Sequence, residues 1–210
     1  MALFPVLIEM QGLPCLVAGG GKLALHKAEL LCAQGARVTV VAPEISEEIT
    51  KLPVTVFYKE VAENDTDGMF LVVDATANDQ AERILKKACS ERNIPFNSAC
   101  RGDDTTAVFP AVHRQGRTVL AVSSTGASPA ASTWLRDRLA EQIPDRMDDI
   151  LECMAGLRPI SKECFSEQPV RRAFLRRCLN KMLECNRPLT DKETEEIRQS
   201  VVSDKEINNT

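Results

Sequence analysis

A chain of 210 residues with 44% apolar side chains can bury one sizeable core and a smaller second one. Its formal net charge of −4 removes any global electrostatic case for binding nucleic acid, and no stretch approaches the roughly 18 apolar residues that span a membrane. The opening MALFPVLIEMQG has no basic segment and too short an apolar run for a signal peptide, so a cytoplasmic protein with no membrane partner is expected. Eight scattered cysteines (Cys15, Cys32, Cys89, Cys100, Cys153, Cys164, Cys178 and Cys185) form no CxxC pair and read as reduced, mostly buried thiols.

The elements follow in chain order. PCLVAG (14–19) reads as a short buried strand. Residues 22–34 read as a helix with apolar positions at Leu23, Ala24, Ala28, Leu30 and Leu31, ended by Gly35. RVTVVA (37–42), VTVFY (54–58) and MFLVVDAT (69–76) are β-rich. QAERILKKACSERN (80–93) is helical, and IPFNSA opens a further strand. Strand and helix in this alternation predict right-handed crossovers and a parallel sheet. The rhythm then changes. Residues 107–124 hold two β runs joined around Gln115-Gly116, a hairpin. The helix expected over 128–143 has Ser128 as N-cap and Pro129 as first helical residue. From Pro144 onward the pattern is helical, with Phe174, Cys178 and Met182 on one stripe and Leu175, Leu179 and Leu183 beside it. The polar tail after Val202 is expected to fray.

The glycines between the first strand and the first helix carry the strongest chemical signal. A GxGxxG/A turn needs one tight bend, one close approach of backbone to pyrophosphate, and one close helix–strand contact. Gly19, Gly21 and Ala24 stand at those spacings, and the helix N-terminus behind them offers N–H groups and positive dipole charge. Gly19, Gly20, Gly21, Lys22 and Leu23 are therefore candidate cofactor ligands. At the end of the second strand stand Pro43 and Glu44, with no arginine to meet a 2′-phosphate, so NAD is favoured over NADP. Thr76, in DATAND at the end of a later strand, faces the same crevice, because ligands bind at the carboxyl ends of such strands.

These stretches, with NIPFN and VFPAVHRQGRTVLAVSSTGASPAASTWLRDRLAEQI, resemble the precorrin-2 dehydrogenase family. That family includes the N-terminal module of siroheme synthase and a bifunctional dehydrogenase/ferrochelatase. The resemblance covers residues 3–145 well and the helical end more loosely. It implies an α/β fold in three parts: a Rossmann-like NAD-binding domain (1–112), a β-hairpin/helix dimerisation region (113–145) and a small helical domain (146–210). It implies oxidation of precorrin-2 to sirohydrochlorin with hydride passing to NAD⁺, with iron insertion in some members, and a homodimer. The tetrapyrrole substrate carries eight carboxylates. Ser123, Ser124, Thr125 and Ser128 offer hydroxyls to them, Gly126 allows close backbone approach, and Ser124 matches the family's active-site serine. The basic run Arg171, Arg172, Arg176, Arg177 and Lys181 either binds further carboxylates or forms a solvated helix face.

One position departs from the family. After PxN the family reads VVD, its aspartate being general base and metal ligand; here the aligned residues are Asn97-Ser98-Ala99-Cys100. A carboxylate is ionised at pH 7, whereas a thiol with a pKa of about 8.5 is mostly protonated unless its site lowers that value. Three readings stay open. Asp103 or Asp104 supplies the base; Cys100 acts, as base or as thiolate ligand for a soft or borderline metal; or the chain binds tetrapyrrole as a chelatase or carrier without redox chemistry. Of the two histidines, His26 reads as a surface residue and His113 as part of the hairpin, and neither belongs to a zinc-type cluster.

Overall fold

The computed structural model describes residues 3–99 and 105–208. The chain divides into two compact units, one ending at Phe109 and one beginning at Pro110. The boundary expected after residue 112 falls inside a strand, Ala111–Gln115, whose antiparallel pairing carries it into the second unit.

The first unit is a five-stranded parallel sheet in the order β3-β2-β1-β4-β5: β1 (Pro14–Ala18), β2 (Arg37–Ala42), β3 (Thr55–Tyr58), β4 (Leu71–Asp74) and β5 (Phe96–Ser98). The central strands are apolar almost without interruption because both faces are covered. Alternate side chains divide between two cores. Cys15, Val17, Val38, Val40 and Val73 face α1 (Lys22–Ala33), which buries Ala24, Ala28 and Leu31 on them. Leu16, Ala18, Val41, Val72 and Phe96 face α3 (Asp79–Arg92) through Ala81, Leu85 and Cys89. Of the apolar positions read for α1, Leu23 and Leu30 are exposed, while Ala24, Ala28 and Leu31 fill the contact with the sheet. The helix closes in a Schellman arrangement, with Ala36 N–H on the Leu31 carbonyl and Gly35 at φ +76°. A one-turn helix α2 (Glu47–Thr50) and a 3-10 turn (Glu63–Thr66) were not legible in the sequence pattern.

The outer edge of β5 is sealed by the chain's own side chains. Thr106 Oγ1 accepts the Phe96 N–H and Thr105 Oγ1 accepts the Ser98 N–H, both at 2.8 Å. The Phe96 carbonyl in turn receives the amides of Thr106 and Ala107. This use explains why residues 107–110 do not join the hairpin, whose first strand starts only at Ala111.

The second unit opens with that hairpin, β6 (Ala111–Gln115) and β7 (Thr118–Val122), turned at Gly116 (φ +54°). Helix α4 (Pro129–Ala140) packs on both strands. Helices α5 (Met147–Cys164), α6 (Gln168–Cys185) and α7 (Asp191–Asn208) then enclose Ile150, Leu157, Phe165, Phe174, Cys178, Met182 and Val201. The stripe Phe174, Cys178, Met182 is fully buried, as its spacing predicts, while Leu183 is exposed. The polar tail does not fray after Val202: α7 runs on to Asn208, because extending an established helix costs far less than starting one.

Candidate functional site

The turn between β1 and α1 is built almost without side chains. Gly19 (φ +119°) donates its N–H to the Val41 carbonyl at 2.9 Å, and a Cβ there would lie 2.6 Å from the Ala75 carbonyl oxygen. At Gly20 a Cβ would collide with the Glu44 carbonyl, and the Gly20 carbonyl accepts the Ser46 N–H at 3.0 Å. These two glycines are required by the protein's own packing. Gly21 differs: it has ordinary φ (−93°), and a Cβ there would meet no atom within 4 Å. As the residue that caps α1 it brings no side-chain acceptor, and the first turn of the helix contains no acid. The first helical bond runs from Leu25 N–H to the Gly21 carbonyl. The amides of Lys22, Leu23 and Ala24 thus stand ahead of the ladder with no side-chain cap among the described residues, which is a positive, donor-rich opening suited to a phosphate. Lys22 and Leu23 are exposed beside it, as are Pro43 and Glu44 beyond β2.

The neighbouring turn, between β4 and α3, is made the opposite way. Asp74, 2% exposed, accepts both the Thr76 N–H (2.9 Å) and the Thr76 hydroxyl (2.7 Å). The Thr76 hydroxyl accepts the Asn78 N–H, and the Asn78 side chain caps α3 through the amides of Gln80 and Ala81. Thr76 is therefore held inward by its own loop. Behind α1, the half-buried Lys27 lays its ammonium 4.2 Å from the Phe109 ring centroid, and burial lowers its pKa.

In the second unit, Ser123-Ser124-Thr125-Gly126 links β7 to α4. Thr125 (φ +53°) and Gly126 (φ +92°) take left-handed backbone. The Ser124 hydroxyl is half-buried and bonds within its own turn, to Ser128 and Ser132. Ser128 caps α4 by accepting the Ala131 N–H at 3.2 Å. Ser123, Thr125 and Gly126 are exposed. The third group of candidates, Cys100, Asp103 and Asp104, lies outside the described residues. The sequence reading missed Ser132, 6% exposed, and the edge-sealing Thr105 and Thr106. The run SSTGASPAAS places Ser132 one helical turn past Ser128, which is a legible hint.

Elsewhere the structure offers little chemistry. Burial pushes the thiols of Cys15, Cys89 and Cys178 up to about 11, while Cys164 is exposed rather than buried. His26 is exposed, and His113 lies on β6 with its Nε2 buried. A groove of about 300 Å³ between α6 and α7 mixes Arg177 and Lys181 with Glu184, Glu193 and Glu196, so the basic run does not present one sign of charge there. Among the described residues, no cluster of three or more His, Cys, Asp or Glu forms a metal site, and no helix is long and apolar enough to cross a membrane.

Comparison with known proteins agrees with the glycine turn. The model of a family described as putative NAD(P)-binding matches residues 6–111, half of the chain. The chain belongs to that family. Proteins similar to this chain include siroheme synthases: that of Saccharophagus degradans is 29% identical over 184 residues, and that of Methylococcus capsulatus 31% over 183. The siroheme synthase of Nitrosomonas europaea is 33% identical over 184 residues. These alignments cover 85–86% of this chain but only 39–40% of the relatives, so the chain spans about two fifths of their length. A solved structure titled "SirC, precorrin-2 dehydrogenase" superposes with a TM-score of 0.71 at 22% identity, covering 96% of this chain and 100% of that one. At that identity the likeness establishes the Rossmann-like fold and the helical end.

Proposed function

We propose that the chain is an NAD-dependent dehydrogenase that oxidises precorrin-2 to sirohydrochlorin in siroheme synthesis. The observation that carries this reading is the unfilled N-terminus of α1 behind a glycine at which a side chain would meet only open space. The siroheme synthase relatives and the superposition on a precorrin-2 dehydrogenase supply the substrate class. NAD⁺, when bound, supplies the hydride acceptor. The amides of Lys22, Leu23 and Ala24 hold its pyrophosphate, and the absence of a basic residue at Pro43-Glu44 selects NAD over NADP. The turn 123–128 receives substrate carboxylates.

Loss of hydride from the macrocycle also releases a proton, so an acceptor aids turnover by about 10²–10⁴-fold. Asp103 or Asp104 is the preferred acceptor, because an ionised carboxylate needs no pKa adjustment, and Cys100 is the alternative. The protein is further proposed to act in the cytoplasm as a homodimer. Its hairpin and α4 expose Val112, Trp134, Leu135 and Leu139, an apolar surface that a second copy covers. Light scattering that gives a monomer mass at micromolar concentration refutes the dimer.

The deciding experiment follows NADH at 340 nm with enzymatically made precorrin-2. NADH formation, lost in Asp103→Ala or Asp104→Ala and kept in Cys100→Ser, supports the dehydrogenase and its base. Tetrapyrrole binding without NADH formation supports instead a chelatase or carrier, the reading that Cys100 in place of the family aspartate favours.

A further inference from the structure

The polar groups of the SSTGASP turn bond largely to one another. A hydroxyl has one proton to give and two lone pairs to receive. Ser124 Oγ gives its proton to the Ser128 carbonyl (2.9 Å) and receives the Ser128 N–H (3.0 Å). Ser132 Oγ lies 3.0 Å from Ser124 Oγ and 3.2 Å from the Ser128 carbonyl, and its one proton serves these two acceptors. Ser132 in turn receives the Ser124 N–H at 3.0 Å. The Ser124 hydroxyl therefore spends its proton within its own turn. Thr125 also spends its proton locally, on the Ser124 carbonyl at 2.8 Å. Ser123 is different: it is exposed, its oxygen receives the Thr125 N–H at 3.1 Å, and its proton has no acceptor among the described residues.

The same network holds a strained backbone. Thr125 is β-branched and sits at φ +53°, a region such residues avoid unless their surroundings enforce it. Ser132, buried in the first turn of α4, ties the chain on the N-terminal side of that strained residue to the helix.

We infer that Ser132 is a positioning residue for the substrate turn, and that Ser123, rather than Ser124, is the hydroxyl that meets a tetrapyrrole carboxylate. This rests on the dehydrogenase reading above. Ser124 then acts through the shape of the turn, and Ser132 fixes that shape.

The test measures KM for precorrin-2 and for NAD⁺, the melting temperature, and quenching of the single tryptophan, Trp134 on α4, by sirohydrochlorin. Ser123→Ala is expected to raise the precorrin-2 KM about tenfold at a wild-type melting temperature, the usual scale for one hydrogen bond to a charged group. Ser132→Ala is expected to raise the same KM while leaving that for NAD⁺ unchanged, and Ser132→Thr, which keeps the hydroxyl, restores it. Combining Ser124→Ala with Ser132→Ala adds little, because both remove one shared network. Should Ser132→Ala fail to fold, Ser132→Cys repeats its arm and the exposed Ser123→Ala stands regardless. A wild-type KM in the Ser132 variant overturns the inference. So does a Ser124→Ala protein that loses substrate affinity at full thermal stability while Ser123→Ala binds normally. Wild-type protein that neither quenches nor turns over overturns the dehydrogenase reading itself, and the inference with it.

Discussion

Two turns leave the carboxyl ends of the neighbouring parallel strands β1 and β4 and end in a helix, yet they are built from opposite materials. After β1 the chain uses three glycines, and the helix begins with no side-chain acceptor on its amides. After β4 it uses Asp74, Thr76 and Asn78, whose side chains accept backbone amides of that turn and of the first turn of α3. The second turn is finished within the chain. The first leaves its amides without a side-chain cap among the described residues. A helix start capped by its own side chain already has its amides bonded; one capped by glycine leaves them open, and that difference distinguishes the proposed dinucleotide site more sharply than the glycine spacing alone.

The comparison breaks first at Gly21. Gly21→Asp adds a side chain and a negative charge where no protein atom stands, so NADH binding measured by calorimetry should weaken roughly 100-fold or more, a loss of about 3 kcal/mol. The melting temperature should hold. Unchanged affinity would end the assignment of this turn to pyrophosphate. Gly20→Ala separates packing from binding within the same three glycines. Its Cβ collides with the Glu44 backbone, so it should destabilise the fold by about 2–3 kcal/mol in chemical denaturation. A fully stable Gly20→Ala protein would show that this glycine, too, serves the ligand.

The β4 turn should behave in the opposite sense. Asn78→Ala removes the cap of α3 and should cost about 1 kcal/mol, with NADH affinity unaltered. A large loss of NADH binding there would erase the contrast between the turns. The smallest effect concerns another self-capped helix, α7. Glu193 accepts from Arg187 and from the Thr190 amide, which hold its carboxyl down at about 2 against an ordinary 4.5. Because the folded-state value is depressed, its contribution is complete above the unfolded value and is lost as pH falls toward the folded one. Glu193→Gln should therefore melt slightly below wild type at pH 7, and the two should converge near pH 2.

Much of this was legible beforehand, and what was not has a common cause. The alternation of strands and helices, the glycine turn and the Phe174–Cys178–Met182 stripe follow from spacing along the chain, because the partners lie within one or two turns of each other. The role of Gly20 was hidden because its partner, the Glu44 carbonyl, is brought near only by the β2–α2 connection. That Leu23 and Leu30 lie exposed was not legible, because apolar spacing does not say how much of a helix the sheet can cover. Ser124 could be aligned with a family serine, but its spent proton is visible only once Ser128 and Ser132 stand around it. The region from Cys100 to Asp104 is where sequence and resemblance part, and the 340 nm assay with single variants decides it.

The threonine seal on β5 bears on how the molecule behaves among its own copies. An open strand edge is a row of unsatisfied donors and acceptors, a template on which another chain can crystallise into sheet. Here two hydroxyls, from Thr105 and Thr106, occupy the outward amides of Phe96 and Ser98 in place of a sixth strand. The edge is closed by the segment 105–107, through these hydroxyls and through the backbone amides of Thr106 and Ala107 on the Phe96 carbonyl. Two of the closing bonds rest on hydroxyl oxygens, so replacing both threonines with valine, nearly identical in shape, would leave the outward amides of Phe96 and Ser98 open to another chain.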